Sequence, residues 1–253
     1  MINWIRKSAT AIGIARLMKK APKPLSYPPD ASEQDRKVLD RINGFTMTNL
    51  ARQMSLIHAV RHVVRQRIPG CFVECGVWRG GSSMAMAMTL AQEGDTSRNL
   101  HLFDTFEGMT EPVEFDKSAV DGVLAKDQLQ RDSSRKGEIW AVATLEDVQQ
   151  NLSLVGYPNG QLHFVKGPVE ATIPTKSPEE PIALLRLDTD WYESTRHELI
   201  HLFPKLSPGA IMIIDDYGHW AGARKAVDEY FSAMDRKFFL HRIDYSGRLL
   251  VNV

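Results

Sequence analysis

The fold is decided by the stretch GCFVECGVWRGGSSMAMAMTLAQ at residues 70–92. A short apolar run is followed by a loop that contains Gly76, Gly80 and Gly81, and then by a segment of small residues typical of a helix. This order is typical of the first strand, loop and helix of a nucleotide-binding α/β fold. The stretch therefore predicts a Rossmann-like α/β domain with a ligand-binding loop after its first strand.

The chain continues this pattern towards its C-terminus. Apolar runs that end in polar or acidic residues alternate with helical segments, which predicts a mostly parallel sheet. The last two predicted strands have no helix between them and are joined by Tyr245-Ser246-Gly247, so the sheet should end in an antiparallel hairpin. The predicted strands after the first are HLFD (101–104), QLHFVKG (161–167), IALLRLDTD (182–190), AIMIIDDYG (210–218), FFLHRID (238–244) and RLLVNV (248–253).

Composition favours a small-molecule enzyme. The 253 residues include 31 Lys plus Arg and 31 Asp plus Glu, so no overall charge attracts nucleic acid. The two cysteines, Cys71 and Cys75, lie on one predicted strand, too far apart for a disulfide, and no short-spaced Cys/His motif predicts zinc. They are interpreted as small buried hydrophobic residues of a cytoplasmic protein.

The N-terminal region differs in charge from the rest. Residues 1–24 carry six basic and no acidic side chains, and prolines follow to residue 29. The apolar run there is too short to span a bilayer, so no transmembrane segment is predicted. Residues 1–31 are interpreted as a basic arm and Pro-rich linker that supports a homo-oligomer, or alternatively contacts a membrane surface. A single domain is predicted over 32–253, with a lid-like insertion at about 107–140.

Two features predict a nucleoside-containing cofactor. Glu74, Gly76 and Ser82 surround the loop after the first strand, where glycine allows a ligand to approach the backbone. Asp104 ends the second strand, where a carboxylate can accept hydrogen bonds from ribose hydroxyls. The loop, in which the third residue after Gly76 is Arg79, does not follow the GxGxxG spacing of dinucleotide sites.

Four aspartates predict a metal. Asp188 and Asp190 end one strand, and Asp215 and Asp216 end another. If the two strands are neighbours, these carboxylates surround one crevice, and their repulsion favours a hard cation such as Mg²⁺. Side chains alternate between the faces of a strand, so three ligands and one proton acceptor are expected. Solvated carboxylates at the ends of strands are the simpler alternative.

Blocks over most of the chain resemble the macrocin and mycinamicin sugar O-methyltransferase family. The resemblance implies a class I methyltransferase fold with a seven-stranded sheet, S-adenosylmethionine and Mg²⁺ as cofactors, and a deoxysugar hydroxyl on a glycosylated natural product as acceptor. The blocks are FTMT (45–48), IPGCFVECGVWRGGSSM (68–84), FDTFEGM (103–109), LEDVQQNL (145–152), IALLRLDTDWYEST (182–195) and KLSPGAIMIIDDYG (205–218).

The resemblance also implies residue roles. The cofactor would be held by Thr46, Met47, Thr48, Glu74, Gly76, Ser82 and Asp104. The metal ligands would be Asp188, Asp215 and Asp216, and Asp190 the general base. The sequence departs from the family pattern at Trp191, where a leucine is usual, and at Pro168, where an aromatic residue is common.

Two alternatives remain open from the sequence. Asp188-Thr189-Asp190 is also a DxD triplet, which a metal-dependent glycosyltransferase would use to hold a nucleotide sugar. A non-catalytic protein that binds S-adenosylmethionine would leave the aspartates without a chemical role.

Overall fold

The computed structural model describes residues 25–135 and 137–253. Its helices are α1 (Glu33–Ile42), α2 (Leu50–Arg65), α3 (Gly81–Gln92), α4 (Ala125–Arg131), α5 (Leu145–Ser153), α6 (Val169–Lys176), α7 (Tyr192–Leu202) and α8 (Ala221–Ser232). Its strands are β1 (Cys71–Cys75), β2 (Leu100–Asp104), β3 (Leu162–Lys166), β4 (Ile182–Leu187), β5 (Leu206–Ile214), β6 (His241–Arg242) and β7 (Arg248–Val251).

The strands form one sheet of seven in the order β3-β2-β1-β4-β5-β7-β6. β1 to β5 are parallel, whereas β7 is antiparallel to both β5 and β6. The predicted fold class and C-terminal hairpin are therefore confirmed. The strand order reverses between β1 and β4, and the crevice outside the carboxyl ends of the strands at such a point is where α/β sheets bind ligands.

The central strands are the core of the domain. All residues of β1 and β4 are buried, as expected for parallel strands covered by helices on both faces. Local sequence begins the flanking helices: the Ser32 side chain accepts a hydrogen bond from the backbone N–H of Asp35, and Thr144 likewise accepts one from Asp147. None of the helices in the described part of the chain is long and apolar enough to cross a bilayer.

A second, smaller hydrophobic cluster lies beside the main core. It joins the segment between β2 and α5 to the helices that follow β4 and β5, and consists of Ala125, Leu129, Trp191, Trp220 and Ala223. This packing attaches the predicted insertion at 107–140 to the domain. Residues 1–24, with the oligomer and membrane-surface contacts predicted for them, lie outside the described residues.

Candidate active site

A cavity of about 440 Å³ lies at the carboxyl ends of the strands. Small-molecule sites usually have volumes of roughly 300–1,000 Å³. The cavity wall includes most of the residues predicted from sequence to bind cofactor or metal. These are Thr46, Met47, Thr48, Gly76, Ser82, Asp104, Asp188, Asp190, Asp215 and Asp216.

The glycine loop is packed against the end of β4. Gly76 has φ +84°, and a Cβ there would overlap the carbonyl oxygen of Asp188. The backbone N–H of Asp188 donates to the carbonyl of Cys75 at 2.9 Å, which fixes the two strand ends together. Glycine at position 76 therefore lets the cofactor loop and the acidic strand end meet at one point.

Asp104 holds the same loop from the other side. Its Oδ2 accepts hydrogen bonds from the backbone N–H groups of Val77 at 2.6 Å and Trp78 at 3.0 Å, and its Oδ1 accepts one from Phe106 at 2.6 Å. Burial raises the pKa of the Asp104 carboxyl, and these hydrogen bonds oppose that shift. Each carboxylate oxygen has two lone pairs, so the loop uses both on Oδ2, and Oδ1 can accept one further hydrogen bond from a ligand.

The Thr46-Met47-Thr48 segment closes the cavity beside the first turn of α3. Gly81 donates its N–H to the carbonyl of Phe45 at 3.0 Å, and a Cβ on Gly81 would overlap that carbonyl. The hydroxyls of Thr46 and Thr48 lie 2.9 Å apart. The structure therefore brings this segment and Ser82 together across one side of the cavity.

Glu74 is placed differently from the other predicted cofactor residues. It is fully buried, and its carboxylate accepts hydrogen bonds from the hydroxyl of Ser83 and from Nη1 of Arg186, the latter at 2.8 Å. Burial raises the pKa of Glu74, and the Arg186 guanidinium opposes the shift. A direct contact between Glu74 and the cofactor stays a prediction, and the side chain as placed orients Arg186.

Three aspartates meet where β4 and β5 end. Asp188, Asp215 and Asp216 each offer a carboxylate oxygen, and these oxygens lie within 4.8 Å of one another. Burial raises the pKa values of Asp188 and Asp216 well above the ordinary value of aspartate. Parallel pairing of the two strands causes this convergence, because it brings both carboxyl ends to the same edge.

The buried guanidinium of Arg186 and the partly buried one of Arg52 compensate part of this negative charge. Arg186 donates from Nη1 to Asp188 at 2.7 Å and from Nη2 to Asp215 at 2.9 Å. Arg52, from α2, pairs with the other oxygen of Asp215 and with Asp244 at 3.1 Å. The sequence analysis missed both arginines. Arg186 was detectable, because it stands two residues before Asp188 on a strand and so shares its face.

The carboxylates fit a hard cation. With Glu74 and Asp190 added to the three clustered aspartates, the acids near the cavity outnumber Arg186 and Arg52. Asp216 has no guanidinium contact among the described residues, and Asp188 engages Arg186 through Oδ2. Oxygen atoms from these two side chains are therefore free to approach Mg²⁺, which prefers carboxylate and water oxygens.

Asp190 lies beside the cluster in a strained conformation. Its φ is +66°, which is uncommon for a residue other than glycine, and its N–H donates to Oδ2 of Asp216 at 3.3 Å. Burial raises the pKa of the Asp190 carboxyl to about 6. Backbone strain held by surrounding contacts is frequent at functional sites, and here it directs Asp190 into the cavity.

Behind these aspartates, buried side chains fix the loop from Asp188 to Trp191. Thr189 donates its hydroxyl to the fully buried Glu198 at 2.9 Å. Trp191 is 2% exposed, packs edge-on against Trp220 with ring centroids 4.9 Å apart, and donates its indole N–H to the carbonyl of Thr110 at 3.1 Å. Trp191, where the sequence departs from the family pattern, therefore holds the insertion to the domain by its hydrogen bond to Thr110.

Asp116 is a further residue that the sequence analysis missed. It is 1% exposed and accepts hydrogen bonds from the N–H groups of Val113 and Tyr192, both at 2.8 Å. A Cβ on Gly222 would overlap Oδ1 of Asp116, so glycine is needed for this close contact. Asp116 gave no sequence signal, because acidic residues are common in the polar segment around it. It ties the insertion to the first residue of α7, two positions after Asp190.

Comparison with known proteins agrees with this geometry. Residues 7–250 match the family described as Macrocin-O-methyltransferase (TylF). The chain is 40% identical over 185 residues to the 8-demethyl-8-(2,3-dimethoxy-alpha-L-rhamnosyl)-tetracenomycin-C 4'-O-methyltransferase of Streptomyces olivaceus, covering 73% of this chain and 67% of the relative. It is 34% identical over 205 residues to the demethyldecarbamoylnovobiocin O-methyltransferase of Streptomyces niveus, covering 81% and 74%. The solved structure of the O-methyltransferase NovP superposes with a TM-score of 0.70 at 31% identity, covering 82% of each chain.

These similarities confirm the resemblance found in the sequence. They favour neither the glycosyltransferase nor the non-catalytic alternative, because the matched family and relatives are methyltransferases. The chain belongs to the macrocin O-methyltransferase family and is an S-adenosylmethionine-dependent O-methyltransferase.

Proposed function

We propose that this enzyme methylates a hydroxyl of a sugar, or deoxysugar, carried by a glycosylated natural product, and that it requires Mg²⁺. The observation that carries the proposal is the convergence of Asp188, Asp215 and Asp216 in the cavity that also contains Gly76 and Asp104. The Streptomyces olivaceus relative is named for methylating a rhamnosyl-tetracenomycin, which supports a glycosylated acceptor.

The cofactor side of the cavity is proposed to lie between Gly76, Asp104 and the Thr46–Thr48 segment. When bound, S-adenosylmethionine supplies an electrophilic methyl group on its sulfonium. Asp104 would accept a hydrogen bond from a ribose hydroxyl through Oδ1, and the threonine hydroxyls would contact the methionine part. Glu74 accepts a hydrogen bond from Arg186 and so fixes its position. We propose that Glu74 acts on the cofactor side indirectly, by orienting Arg186.

The acceptor side is proposed to be formed by the clustered aspartates and Asp190. When bound by Asp188, Asp215 and Asp216, Mg²⁺ supplies a positive charge that lowers the pKa of a nearby hydroxyl. Asp190 would accept the hydroxyl proton as the acceptor oxygen takes the methyl group. The Asp190 carboxylate would then hold the released proton, which balances the positive charge that the cofactor gives up.

The insertion is proposed to cover the acceptor. Met109, Thr110 and Ile139 line the cavity from this segment, and Asp116 attaches it next to Asp190. A cover of this kind excludes water from the reacting groups and holds the acceptor in line with the methyl group. We further propose a cytoplasmic location, which the two free, buried thiols support.

The proposal is tested by transfer of a labelled methyl group to a panel of glycosylated natural products, their aglycones and simple catechols, with Mg²⁺ or with chelator. We expect transfer to a glycosylated acceptor only, and loss of transfer with chelator that Mg²⁺ restores. Methylation of an aglycone or catechol at the same rate would overturn the sugar assignment. Full activity in chelator would overturn the Mg²⁺ assignment.

A further inference from the structure

A second group of possible metal ligands lies at the opposite edge of the sheet from the cavity. Cys71 begins β1, His101 lies on β2, and Glu180 precedes β4. The thiol sulfur, an imidazole nitrogen and a carboxylate oxygen of these residues lie within 4.8 Å of one another. We propose that this Cys-His-Glu cluster is a zinc-binding site with three protein ligands, separate from the proposed Mg²⁺ site and independent of the proposed acceptor.

One imidazole nitrogen in the cluster lacks a partner. Nε2 of His101 is buried and has no hydrogen-bond partner among the described residues. It lies 3.7 Å from Oε1 of Glu180, which is too long for a hydrogen bond. A buried nitrogen without a hydrogen-bond partner is unusual in a folded protein, and a bound ion would account for it. In tetrahedral coordination with bonds of about 2.0–2.3 Å, neighbouring ligand atoms lie roughly 3.3–3.7 Å apart, so the observed separation suits a shared cation.

The imidazole of His101 packs against a second histidine ring. The rings of His101 and His163 stack with centroids 4.6 Å apart. Burial and the neighbouring His163 lower the pKa of His101, and the Glu180 carboxylate opposes this shift. Neutral imidazole is the form that coordinates zinc.

The carboxylate and the thiol are oriented by surrounding contacts. Asn99 donates from Nδ2 to Oε1 of Glu180 at 2.6 Å, and its Oδ1 lies 2.9 Å from Nε2 of His163. Cys71 donates its N–H to the carbonyl of Pro181 at 2.9 Å, which places it beside Glu180. Side chains that orient metal ligands in this way raise metal affinity, and Asn99 has that position.

The donor set distinguishes the two edges of the sheet. Thiolate and imidazole favour zinc, whereas a group of carboxylates favours Mg²⁺. Burial raises the pKa of the Cys71 thiol to about 12, so zinc binding displaces its proton to solvent. Glu180 also lines a surface groove with Pro69, Gly70 and Asn99, and a water molecule from this groove would be the fourth ligand.

Cobalt substitution tests the site. Full-length, tag-free enzyme is stripped with chelator and titrated with Co²⁺, and absorption from thiolate-to-cobalt charge transfer is recorded. We expect this absorption to saturate at one cobalt per chain and to disappear when Zn²⁺ is added. The aspartate cluster contains no thiol and cannot produce it, so an Asp216→Asn variant should retain the full signal. No thiolate absorption in the wild type would overturn the proposal.

The two cysteines provide a matched pair of variants. Both are buried on β1, but Cys75 lies at the other end of the strand. Cys71→Ala should abolish the absorption, and Cys75→Ala should retain it. The reverse result would overturn the assignment.

Asn99→Ala keeps all three ligands and should weaken cobalt binding about tenfold or more, so unchanged affinity would also contradict the account.

Discussion

The two edges of the same sheet carry different chemistry. At the carboxyl edge, Asp188, Asp215 and Asp216 converge in a cavity where Arg186 pairs with the first two, and the flanking loops contain non-glycine residues with positive φ, including Asp190. At the amino edge, a thiol, an imidazole and one carboxylate meet beside a shallow groove. Dense buried charge and strained backbone cost folding energy, and they persist where a ligand or a reaction uses them. The comparison indicates that the carboxyl edge suits the proposed reaction and that the amino edge suits the proposed zinc ion.

The largest effect is expected from removing the proposed proton acceptor. Asp190→Asn should lower kcat by about 10²–10⁴-fold, the usual contribution of a general base, while S-adenosylmethionine affinity changes little. Steady-state kinetics and calorimetric titration measure the two effects separately. Asp147→Asn, on an exposed helix face, serves as control. If Asp190→Asn keeps most of its kcat, the proton acceptor lies elsewhere.

One arginine at each edge tests whether buried charge contributes differently to stability at the two edges. Arg186→Met removes the buried guanidinium that Glu74, Asp188 and Asp215 share, and should cost about 3–5 kcal/mol of unfolding free energy. Arg98, at the amino edge, pairs with Asp95 at 2.9 Å, and Arg98→Met should cost less, about 1.5–3 kcal/mol. Urea denaturation gives both values. Equal losses of unfolding free energy in the two variants would show that buried charge does not distinguish the two edges.

The two glycines that flank β1 allow a second comparison of the two edges. Gly76 has φ +84° at the carboxyl edge and Gly70 has φ +118° at the amino edge, and a Cβ on either would overlap backbone near β4. Each Gly→Ala variant should lose about 1–3 kcal/mol of stability, but only Gly76→Ala should weaken S-adenosylmethionine binding. Gly94→Ala, with φ +80° and open space, isolates the cost of φ alone. Weaker cofactor binding in Gly70→Ala would contradict the assignment.

The smallest effect concerns the attachment of the insertion. Asp116→Asn replaces one acceptor oxygen by an amide N–H that faces a backbone donor, and should cost about 1–3 kcal/mol of stability. Because Asp116 positions the insertion over the acceptor side, KM for the acceptor should rise more than KM for S-adenosylmethionine. Asp121→Asn, an exposed change in the same segment, serves as control. An equal rise in both KM values would argue for general loosening of the domain.

The fold was predictable because its signals are local. Apolar runs ending in acids marked the parallel strands, and the missing helix before β7 marked the antiparallel hairpin. Sequence could also place Asp188 and Asp215 at one edge, since parallel strands align their carboxyl ends. Arg52 could not be assigned in this way, because its contact with Asp215 depends on how α2 packs against the sheet.

The amino-edge cluster shows the limit of motif-based reasoning. The sequence was interpreted as lacking a zinc motif, because Cys71, His101 and Glu180 are far apart in the chain. Pairing of β1 with β2 and β4 brings them together. Short-spaced motifs detect ligands on one loop, whereas ligands contributed by different strands depend on sheet order and register.

The most direct test of the central claim is calorimetric titration of S-adenosylmethionine and of Mg²⁺ into the wild type and into Asp216→Asn. This variant is preferred because Asp215 also holds two guanidinium groups. The account predicts that the wild type binds both ligands, and that Asp216→Asn still binds S-adenosylmethionine but loses Mg²⁺ binding. Unchanged Mg²⁺ affinity in the variant, or a wild type that does not bind S-adenosylmethionine, would contradict it.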